Sequence, residues 1–461
     1  MFKFTAIKTV IGSIIMNLKI IMLASLTLMI FSPVSAVMLS PDKQGQVLIF
    51  PYFGTLGGNN SLITIANNHY KASALKVHFR DRQGEAALSF NLYLEGNGSW
   101  VAALSQVNGE THLELPDASC ILPALDDGSG SVVVPLTSGF LEVIEMGVIS
   151  DSDIWSEIND FDCDALSALW AEEGQWNSDP SFGLEPPNGG LRGSASIINV
   201  TQGSMYSFVA TALTEFSDIP QHTAPDALLP DLTTAHDAGT DEGFTTSITC
   251  NEKSCVEDTW DRPVDAVAAT LMAHSLNGEF SIEPGVGASS EAILTFPLRK
   301  FYFDEGDEFQ GRIRVDLFVY DRTGKGEKST IICDVLIDTH PCDAPYNVLE
   351  LQSVSVISFN NTVSDFEMTL SSNILSEEHL SFFPSPEFPS IPESGQFGIF
   401  LPVPLPALLR SNSGHSFFGN PVIGTVLQRF TNGQLTNDSG ALIRANYGNA
   451  FGLSKHRAIN Q

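Results

Sequence analysis

The stretch ALKVHFRDRQGEAALSFNLYL, residues 74–94, alternates apolar and polar side chains on both sides of a short polar turn. Its apolar positions are Leu75, Val77, Phe79, Leu88, Phe90, Leu92 and Leu94, and the polar positions between them include Lys76, His78, Ser89, Asn91 and Tyr93. Since successive side chains of a strand point to opposite faces, this period of two predicts two antiparallel strands. We therefore predict a β-hairpin with one face on an apolar core and the other face in water.

The same alternation returns at GRIRVDLFVYDRTGKGE, residues 311–327, where the apolar positions are Ile313, Val315, Leu317 and Val319. The first strand of each copy ends in Asp-Arg-X-Gly, at 81–84 and at 321–324. An aspartate that opens a turn accepts hydrogen bonds from the backbone amides of that turn. Duplication of a sandwich unit and chance similarity of two hairpins both account for the match. Duplication predicts that the two hairpins occupy equivalent positions in two sandwiches.

Turn and strand signals dominate the rest of the chain. Asn-Gly pairs, which suit tight turns between antiparallel strands, begin at 97, 108, 277 and 432. Helix signals are few, and the best is DCDALSALW, where Asp162 is placed to cap a short helix carrying Leu166, Leu169 and Trp170. These patterns predict an all-β protein with a small helical and irregular insertion.

The N-terminal segment has the pattern of a secretory signal. Lys19 precedes an apolar run over residues 20–31, and the small-residue pattern Val34-Ser35-Ala36 follows it. We predict a signal peptide over residues 1–36, with Met16 as an alternative start, and therefore export to the periplasm, the cell surface or the extracellular medium. The apolar run is shorter than the roughly 20 residues of a spanning helix, so no stable membrane span is expected once the signal is removed.

The chain is strongly acidic, with 54 acidic against 23 basic residues and a formal net charge of -31 at pH 7. Nucleic acid and anionic membrane surfaces require a basic face, so this charge argues against both as partners. It favours solubility and divalent cations instead. Without residues 1–36, the remaining 425 of the 461 residues are too many for one compact core and predict two or three domains.

The six cysteines are an even number in a chain predicted to be exported, which indicates disulfides. They are Cys120, Cys163, Cys250, Cys255, Cys333 and Cys342. Six cysteines permit 15 connectivities. Pairing of neighbours is favoured because CNEKSC and CDVLIDTHPC each close a short loop, and Cys120 with Cys163 would then tie the first sandwich to its insertion. A zinc site is the alternative, although the paired CxxC motif of such sites is absent.

These signals divide the chain into two sandwiches and a connection. We predict a first β-sandwich at 37–215, with an acidic, tryptophan-containing insertion at about 150–190, and a second at 264–461, with a proline-rich segment at 382–406. Between them lies a polar, proline-containing connection at 216–263. Proline cannot donate to a sheet ladder, so the proline-rich segment suits an edge or a covering loop.

Several phrases occur together along the chain: VLIFPYF, SLITIAN, LSFNLYL, FLEVIEMG, GSASIINV, LTFPLRKFY, NPVIGTVLQRFTNG and ANYGNAF. With them the chain resembles a group of uncharacterised exported proteobacterial β-rich proteins over most of its length. The pair SLITIAN and LKVHFRD, followed later by a PVIG strand, is also similar to bacterial immunoglobulin-like sandwich modules. The resemblance implies export and two immunoglobulin-like β-sandwich domains, and it supplies no catalytic residue.

The densest acidic cluster, SDSDIWSEINDFDCD, includes Cys163. Carboxylate oxygens at close spacing are the ligands that calcium needs. The candidate calcium ligands are Asp151, Asp153, Asp160, Asp162 and Asp164. The EF-hand pattern is absent, and a solvated acidic loop is the alternative interpretation.

Trp155 and Trp170 fall in the same acidic insertion. Aromatic faces beside carboxylates are suited to stack on a sugar ligand, and the two tryptophans are therefore candidate ligand-binding residues. Core packing explains them as well, because a buried indole removes a large apolar area from water.

No catalytic motif is evident in the sequence. Ser416 follows His415 in SGHSFFG, but the GxSxG elbow is missing, and the histidines form no HExxH. We expect a non-enzymatic exported protein that acts as a cell-surface, matrix or binding component, with a surface polymer or a protein as partner. The alternative is a secreted glycan-binding or glycan-active protein that uses the tryptophan- and aspartate-rich insertion.

Overall fold

The computed structural model describes residues 36–115, 119–125, 130–150, 162–237, 243–302, 316–329, 352–359, 372–377, 380–381, 392–401, 409–436, 438–440 and 442–460. Ser35–Gln461 forms one compact unit. The predicted signal peptide, apart from Ala36, lies outside the described residues. The predicted domain boundary at 216–263 stays a prediction, because the compact unit spans it.

The first half of the chain forms two antiparallel sheets. Its strands are β1 Met38–Leu39, β2 Val47–Gly54, β3 Asn59–Asn67, β4 Ser73–Asp81, β5 Ala86–Leu94, β6 Ser99–Val107, β7 Glu110–Glu114, β8 Cys120–Leu122, β9 Ser131–Val134, β10 Ser138–Ile149, β11 Leu184–Glu185, β12 Leu191–Asn199, β13 Ser204–Val209 and β14 Thr211–Thr214. Helices α1 Cys163–Ala168 and α2 Gln175–Ser178 lie between β10 and β11. The first sheet has the order β1-β14-β2-β10-β4-β5-β8, with β11 beside β10, and the second sheet has the order β13-β12-β3-β6-β7-β9.

The second half contributes two further sheets of five strands each. Its elements are β15 Thr245–Cys250, β16 Cys255–Trp260, α3 Pro263–Leu271, β17 Met272–Ala273, β18 Ser275–Ser281, β19 Ala288–Thr295, α4 Arg299–Tyr302, β20 Asp316–Asp321, β21 Gly326–Ser329, β22 Val354–Phe359, β23 Leu380–Ser381, β24 Ser394–Phe400, β25 Leu409–Arg410, β26 Ser416–Phe418, β27 Asn420–Pro421, β28 Ile423–Thr436, β29 Leu442–Gly452, β30 Ser454–His456 and β31 Ala458–Asn460. The third sheet has the order β21-β20-β24-β18-β30, and the fourth sheet has the order β23-β22-β19-β28-β29. The short sets β15-β16, β17-β27 and β25-β26-β31 pair separately.

Each half is a β-sandwich whose two sheets share an apolar core. In the first half, Val77 and Phe90 of the first sheet pack in one cluster with Ile63 and Trp100 of the second. In the second half, the third and fourth sheets share a cluster in the same way, with Phe280, Phe397, Ala292 and Ile357 among its members. The alternation of apolar residues along the strands produces these cores, and the predicted all-β sandwich class is confirmed.

The two sandwiches repeat one topology. The order β14-β2-β10-β4-β5 in the first sheet matches β30-β18-β24-β20-β21 in the third, and β13-β12-β3-β6 in the second matches β29-β28-β19-β22 in the fourth. Matching strands also follow one another in the same order along the chain. The hairpins β4-β5 and β20-β21 therefore occupy equivalent positions, as duplication of a sandwich unit predicts.

Individual hydrogen bonds repeat between the two sandwiches as well. The buried hydroxyl of Ser61 accepts from the amide of Gly54 at 2.8 Å and donates to the carbonyl of Gly54 at 2.9 Å. The hydroxyl of Ser290 makes the same two bonds with Ser281, both at 2.9 Å. These two serines give a residue-by-residue correspondence between β3 and β19.

The Asp-Arg-X-Gly turns also form in the same way. In each turn the aspartate accepts from the amides two and four residues further on, at 2.9 and 2.8 Å for Asp81 and at 2.8 and 3.0 Å for Asp321. Gly139 and Gly395 lie opposite these aspartates on the neighbouring strands. A Cβ atom on either glycine would lie 1.9 Å from a backbone oxygen, so both positions require glycine.

The polar face of the 74–94 hairpin is buried, and the prediction that it faces water is wrong. Lys76 and His78 are both 0% exposed. Residues 216–237, which we call the strap, cover this face. Its backbone oxygens need donors once they leave water. The Lys76 ammonium donates to the Ala224 carbonyl at 2.9 Å, and His78 Nε2 lies 2.8 Å from the Pro230 carbonyl, so the alternating polar residues are the donors that hold the strap.

Two of the predicted disulfides are present. Cys120–Cys163 links β8 to α1 and ties the insertion to the first sandwich, and Cys250–Cys255 closes the β15-β16 hairpin. Cys333 and Cys342 lie outside the described residues, so their pairing stays a prediction. Within the described ranges, no helix is both long enough and apolar enough to cross a membrane.

The fourth sheet packs its outer face against the turn end of the first sandwich, and we call this contact the joint. Ile293, Val354 and Ile423 of that outer face belong to the same apolar cluster as the core of the first sandwich. At its edge, the Ser353 hydroxyl donates to the Gln83 carbonyl at 2.9 Å.

Polar side chains of the first sandwich form hydrogen bonds across the joint. Arg82 donates to Glu377 Oε2 at 3.1 Å, and the Tyr52 hydroxyl donates to the other oxygen of the same carboxylate at 2.9 Å. Asn59 donates to the carbonyl of Ile374 at 3.1 Å. Segment 372–377 therefore fastens the two sandwiches to each other.

Candidate functional site

The outer face of the second sheet is open to solvent, unlike that of the first sheet beneath the strap. Strands β3, β12 and β13 alternate buried residues with partly or fully exposed ones along their whole length. We call the exposed set on strands β3, β6, β12 and β13 the open face; the neighbouring strand β7 borders it with Glu110, His112 and Glu114. The residues of the open face are Asn60, Leu62, Thr64, Ala66, Ser99, Val101, Ala103, Ser105, Arg192, Ser194, Ser196, Ile198, Met205, Ser207 and Val209.

The open face is almost free of charge. Arg192 is the one ionised side chain among its fifteen positions, on a chain whose formal charge is -31. The rest are short hydroxyl and apolar side chains, and the hydroxyls of Ser196 and Ser207 lie 2.7 Å apart across neighbouring strands. A partner can cover such a face without desolvating ions, and depletion of charge is typical of the centre of protein interfaces.

An apolar rim borders the open face where β13 approaches β29. Val200, Met205 and Tyr447 are 77%, 49% and 61% exposed. They line a shallow cleft of about 530 Å³. Exposed apolar side chains grouped beside an uncharged face are characteristic of interaction sites.

The candidate calcium ligands are only partly visible. Asp151, Asp153 and Asp160 lie outside the described residues. The Asp162 carboxylate accepts from the amide of Asp164 at 3.1 Å and caps α1, as the sequence predicts. Among the described residues, no group of three or more potential metal ligands comes together. Calcium binding at this cluster stays a prediction.

The described part of the insertion packs its tryptophans inward. Trp170 Nε1 donates to the Tyr93 hydroxyl at 2.9 Å, and that hydroxyl lies 2.9 Å from His222 Nε2. Burial lowers the pKa of His222 to about 4, so the ring is neutral; its Nδ1 donates to the Pro180 carbonyl at 2.6 Å, and its Nε2 therefore accepts a hydrogen bond from the Tyr93 hydroxyl. Trp176 packs against Trp170 with ring centroids 5.6 Å apart. These contacts are those of a core; Trp155 lies outside the described residues, and the ligand-binding role of both predicted residues stays a prediction.

An aspartate, a histidine and a serine meet away from the open face. The buried Asp258 carboxylate accepts from the Ser411 hydroxyl at 2.5 Å and lies 2.8 Å from His415 Nδ1. A hydrolytic triad requires the serine to donate to the histidine. Here both side chains bond the same aspartate oxygen, so the cluster anchors the turn between β25 and β26 to the β15-β16 hairpin.

Two buried carboxylates of β10, Glu142 and Glu145, have raised pKa values. Arg80 Nε donates to Glu142 at 2.6 Å, and Ser73 and the amide of Gly189 donate to Glu145 at 3.0 and 2.8 Å. Burial raises the pKa of each carboxyl to about 7. Perturbed carboxylates often mark active sites. These two are at most 1% exposed and their partners are structural, so a substrate does not reach them.

Comparison with known proteins identifies no relative of this chain. No family model, curated protein or solved structure matches it. The fold and the site therefore define the protein by themselves, as an all-β chain of two repeated sandwiches with one sheet face, carrying a single charge over four strands, open to solvent.

The open face is absent from the sites that the sequence predicts, although its residues alternate regularly. In SLITIAN (61–67) the positions between the core residues are uncharged, whereas in LKVHFR (75–80) they are Lys76, His78 and Arg80. Charged side chains between core residues predict a strand face in water. The charged face is covered because the strap needs strong donors, and the uncharged face is the exposed one.

Proposed function

We propose that this chain is an exported, non-enzymatic sandwich protein that acts at the cell surface or in an extracellular matrix and binds its partner through the open face. The observation that carries the proposal is the open face itself, with one charge among fifteen solvent-facing positions of a chain that carries -31. Short side chains on a regular sheet present low relief, which suits a broad contact rather than a small ligand.

Other features of the chain support the same proposal. Two disulfides fit an oxidising compartment outside the cytosol, and so does the signal-like N-terminal segment. The buried carboxylates Glu142 and Glu145 and the Asp258 cluster are occupied in structural hydrogen bonds, with Arg80, with Ser73 and Gly189, and with Ser411 and His415. Binding rather than chemistry is thus the role that the geometry favours.

Fractionation of cells that express the chain tests the proposal. Ser194 is exposed on the open face, and Ser254 is exposed at the turn of the β15-β16 hairpin, so Ser194→Glu and Ser254→Glu add the same charge at two sites. We expect the wild type and Ser254→Glu in the cell-surface or matrix fraction, and Ser194→Glu in the medium. Recovery of the wild type in the cytosol, or equal retention of the two variants, would contradict the proposal.

A further inference from the structure

The open face is the counterpart of the face that the fourth sheet buries in the joint. Ser61 and Ser290 are equivalent residues. Three positions after each of them, Thr64 on β3 therefore corresponds to Ile293 on β19. The cross-strand neighbours of these two residues correspond in the same way, Val101 to Val356 and Ser194 to Thr425. One face is covered by a contact within the chain, and its counterpart is exposed.

The surface that covers the fourth sheet also has an exposed counterpart. In the joint, a Cβ atom on Gly84 would lie 2.7 Å from the Ser353 hydroxyl, whereas a Cβ on the equivalent Gly324 would have no described atom within 4 Å. The side chain of Arg82 is 16% exposed in the joint, and that of the equivalent Arg322 is 69% exposed. Among the described residues, the Asp321–Gly324 turn therefore repeats the turn that docks in the joint and has no neighbour over Gly324.

We propose that copies of this chain associate head to tail, with the turn end of the second sandwich of one copy, Pro284–Val286 and Asp321–Gly326, docked on the open face of the next. The inference rests on the proposed function and names its partner as a second copy. The docking of two copies would thus repeat, between chains, the contact that the joint makes within one chain. Because the two surfaces differ and lie on different sandwiches, the contact is heterologous, and assembly continues beyond a dimer into a ring or a filament.

The contact between copies is weaker than the joint. The open face has a threonine, a serine and an arginine where the fourth sheet has three branched apolar residues; the corresponding pairs are Thr64 with Ile293, Ser99 with Val354 and Arg192 with Ile423. Less apolar area is thus removed from water. The net charge of -31 opposes approach until salt screens it. Association should therefore be reversible, and it should increase with protein concentration and with salt.

Sedimentation velocity of the purified full chain tests the inference with four variants. Ser194→Glu blocks the open face and Arg322→Glu blocks the turn end, while Ser254→Glu and Arg410→Glu are matched controls at other exposed positions. We expect the wild type and both controls to grow beyond dimers as concentration rises. Each blocked variant alone should associate at least about tenfold more weakly, which corresponds to about 1.4 kcal/mol. Unchanged circular dichroism spectra verify that the variants are folded.

An equal mixture of the two blocked variants gives the decisive result. One intact turn end and one intact open face remain in the mixture, so the variants should form dimers and nothing larger. A wild type that stays monomeric at high concentration and salt, or a mixture that stays monomeric, would overturn the inference. If the purified chain is monomeric while Ser194→Glu still releases it from cells, self-association is wrong and the proposed function stands with another partner.

Discussion

The burial of the first hairpin's polar face predicts a large cost for breaking its ion pair. Arg80 Nε donates to Glu142 Oε2 at 2.6 Å, and the two side chains are 4% and 0% exposed. Arg80→Met leaves the Glu142 carboxylate buried without this cation. Breaking one side of a buried pair costs about 3–5 kcal/mol of unfolding free energy. A pair in water, as the alternating pattern alone suggests, would contribute about 0.2–1 kcal/mol.

Urea unfolding followed by tryptophan fluorescence measures this difference. We expect Arg80→Met and Glu142→Leu each to lower the unfolding free energy by about 3 kcal/mol or more. The double variant should cost less than the sum of the two single variants, because neither Arg80 nor Glu142 is then left unpaired; Asp231, 3.6 Å from the Arg80 guanidinium, still loses its cation. Lys71→Met breaks a more exposed pair with Glu185 at 2.8 Å and serves as the control. A cost below about 1 kcal/mol for Arg80→Met would refute the burial of this face.

Three further predictions concern the carboxylate beside the strap, the disulfides and the repeat. Because burial raises the pKa of Glu145 from 4.5 to about 7, the folded chain holds a proton that the unfolded chain has released between these values. Its contribution, about 3 kcal/mol, is therefore present below pH 4.5 and is lost as pH rises through 7. Glu145→Gln should reduce the loss of urea stability between pH 5 and 8 by about this amount and leave the part that comes from Glu142, whose pKa burial raises in the same way. The Cys120–Cys163 disulfide closes a separation of 43 residues and should contribute about 4 kcal/mol to the unfolding free energy, whereas Cys250–Cys255 closes a separation of 5 residues and should contribute about 2 kcal/mol. Urea denaturation of the variants in which both cysteines of one pair are replaced by serine measures these contributions. Ser61→Ala and Ser290→Ala each leave a buried amide without its partner, so calorimetry should find similar losses of about 1–3 kcal/mol for both; a loss at one position alone would argue against equivalent roles.

Local patterns in the sequence predicted most of the fold. Period-two alternation identified the strands of both hairpins, and the repeated Asp-Arg-X-Gly turn indicated the duplication, because both features depend on neighbouring residues. The cap at Asp162 and the Cys250–Cys255 bridge were predicted for the same reason. In each case the partners lie within a few positions along the chain, so their geometry follows from spacing.

The burial of a strand face by a segment far away in the sequence could not be predicted from the same patterns. The strap lies over residues more than a hundred positions earlier in the chain, as the bond from Lys76 to Ala224 shows. A strand face in water and a strand face that supplies donors to a covering segment have the same alternation of apolar and polar residues. The open face was missed for the complementary reason, because threonine, serine and alanine between core residues give no sign of binding until the sheet shows them side by side.

Thiol labelling on intact cells tests the central claim, that the open face is occupied where the protein acts. Ser194→Cys and Ser413→Cys place one added thiol on the open face and one at the exposed turn between β25 and β26. In the dilute purified chain, a membrane-impermeant maleimide should label both. On cells that display the chain, it should label Ser413→Cys as before and Ser194→Cys at a rate at least about tenfold lower, because a partner covers the face. Equal labelling of the two variants on cells would contradict the account.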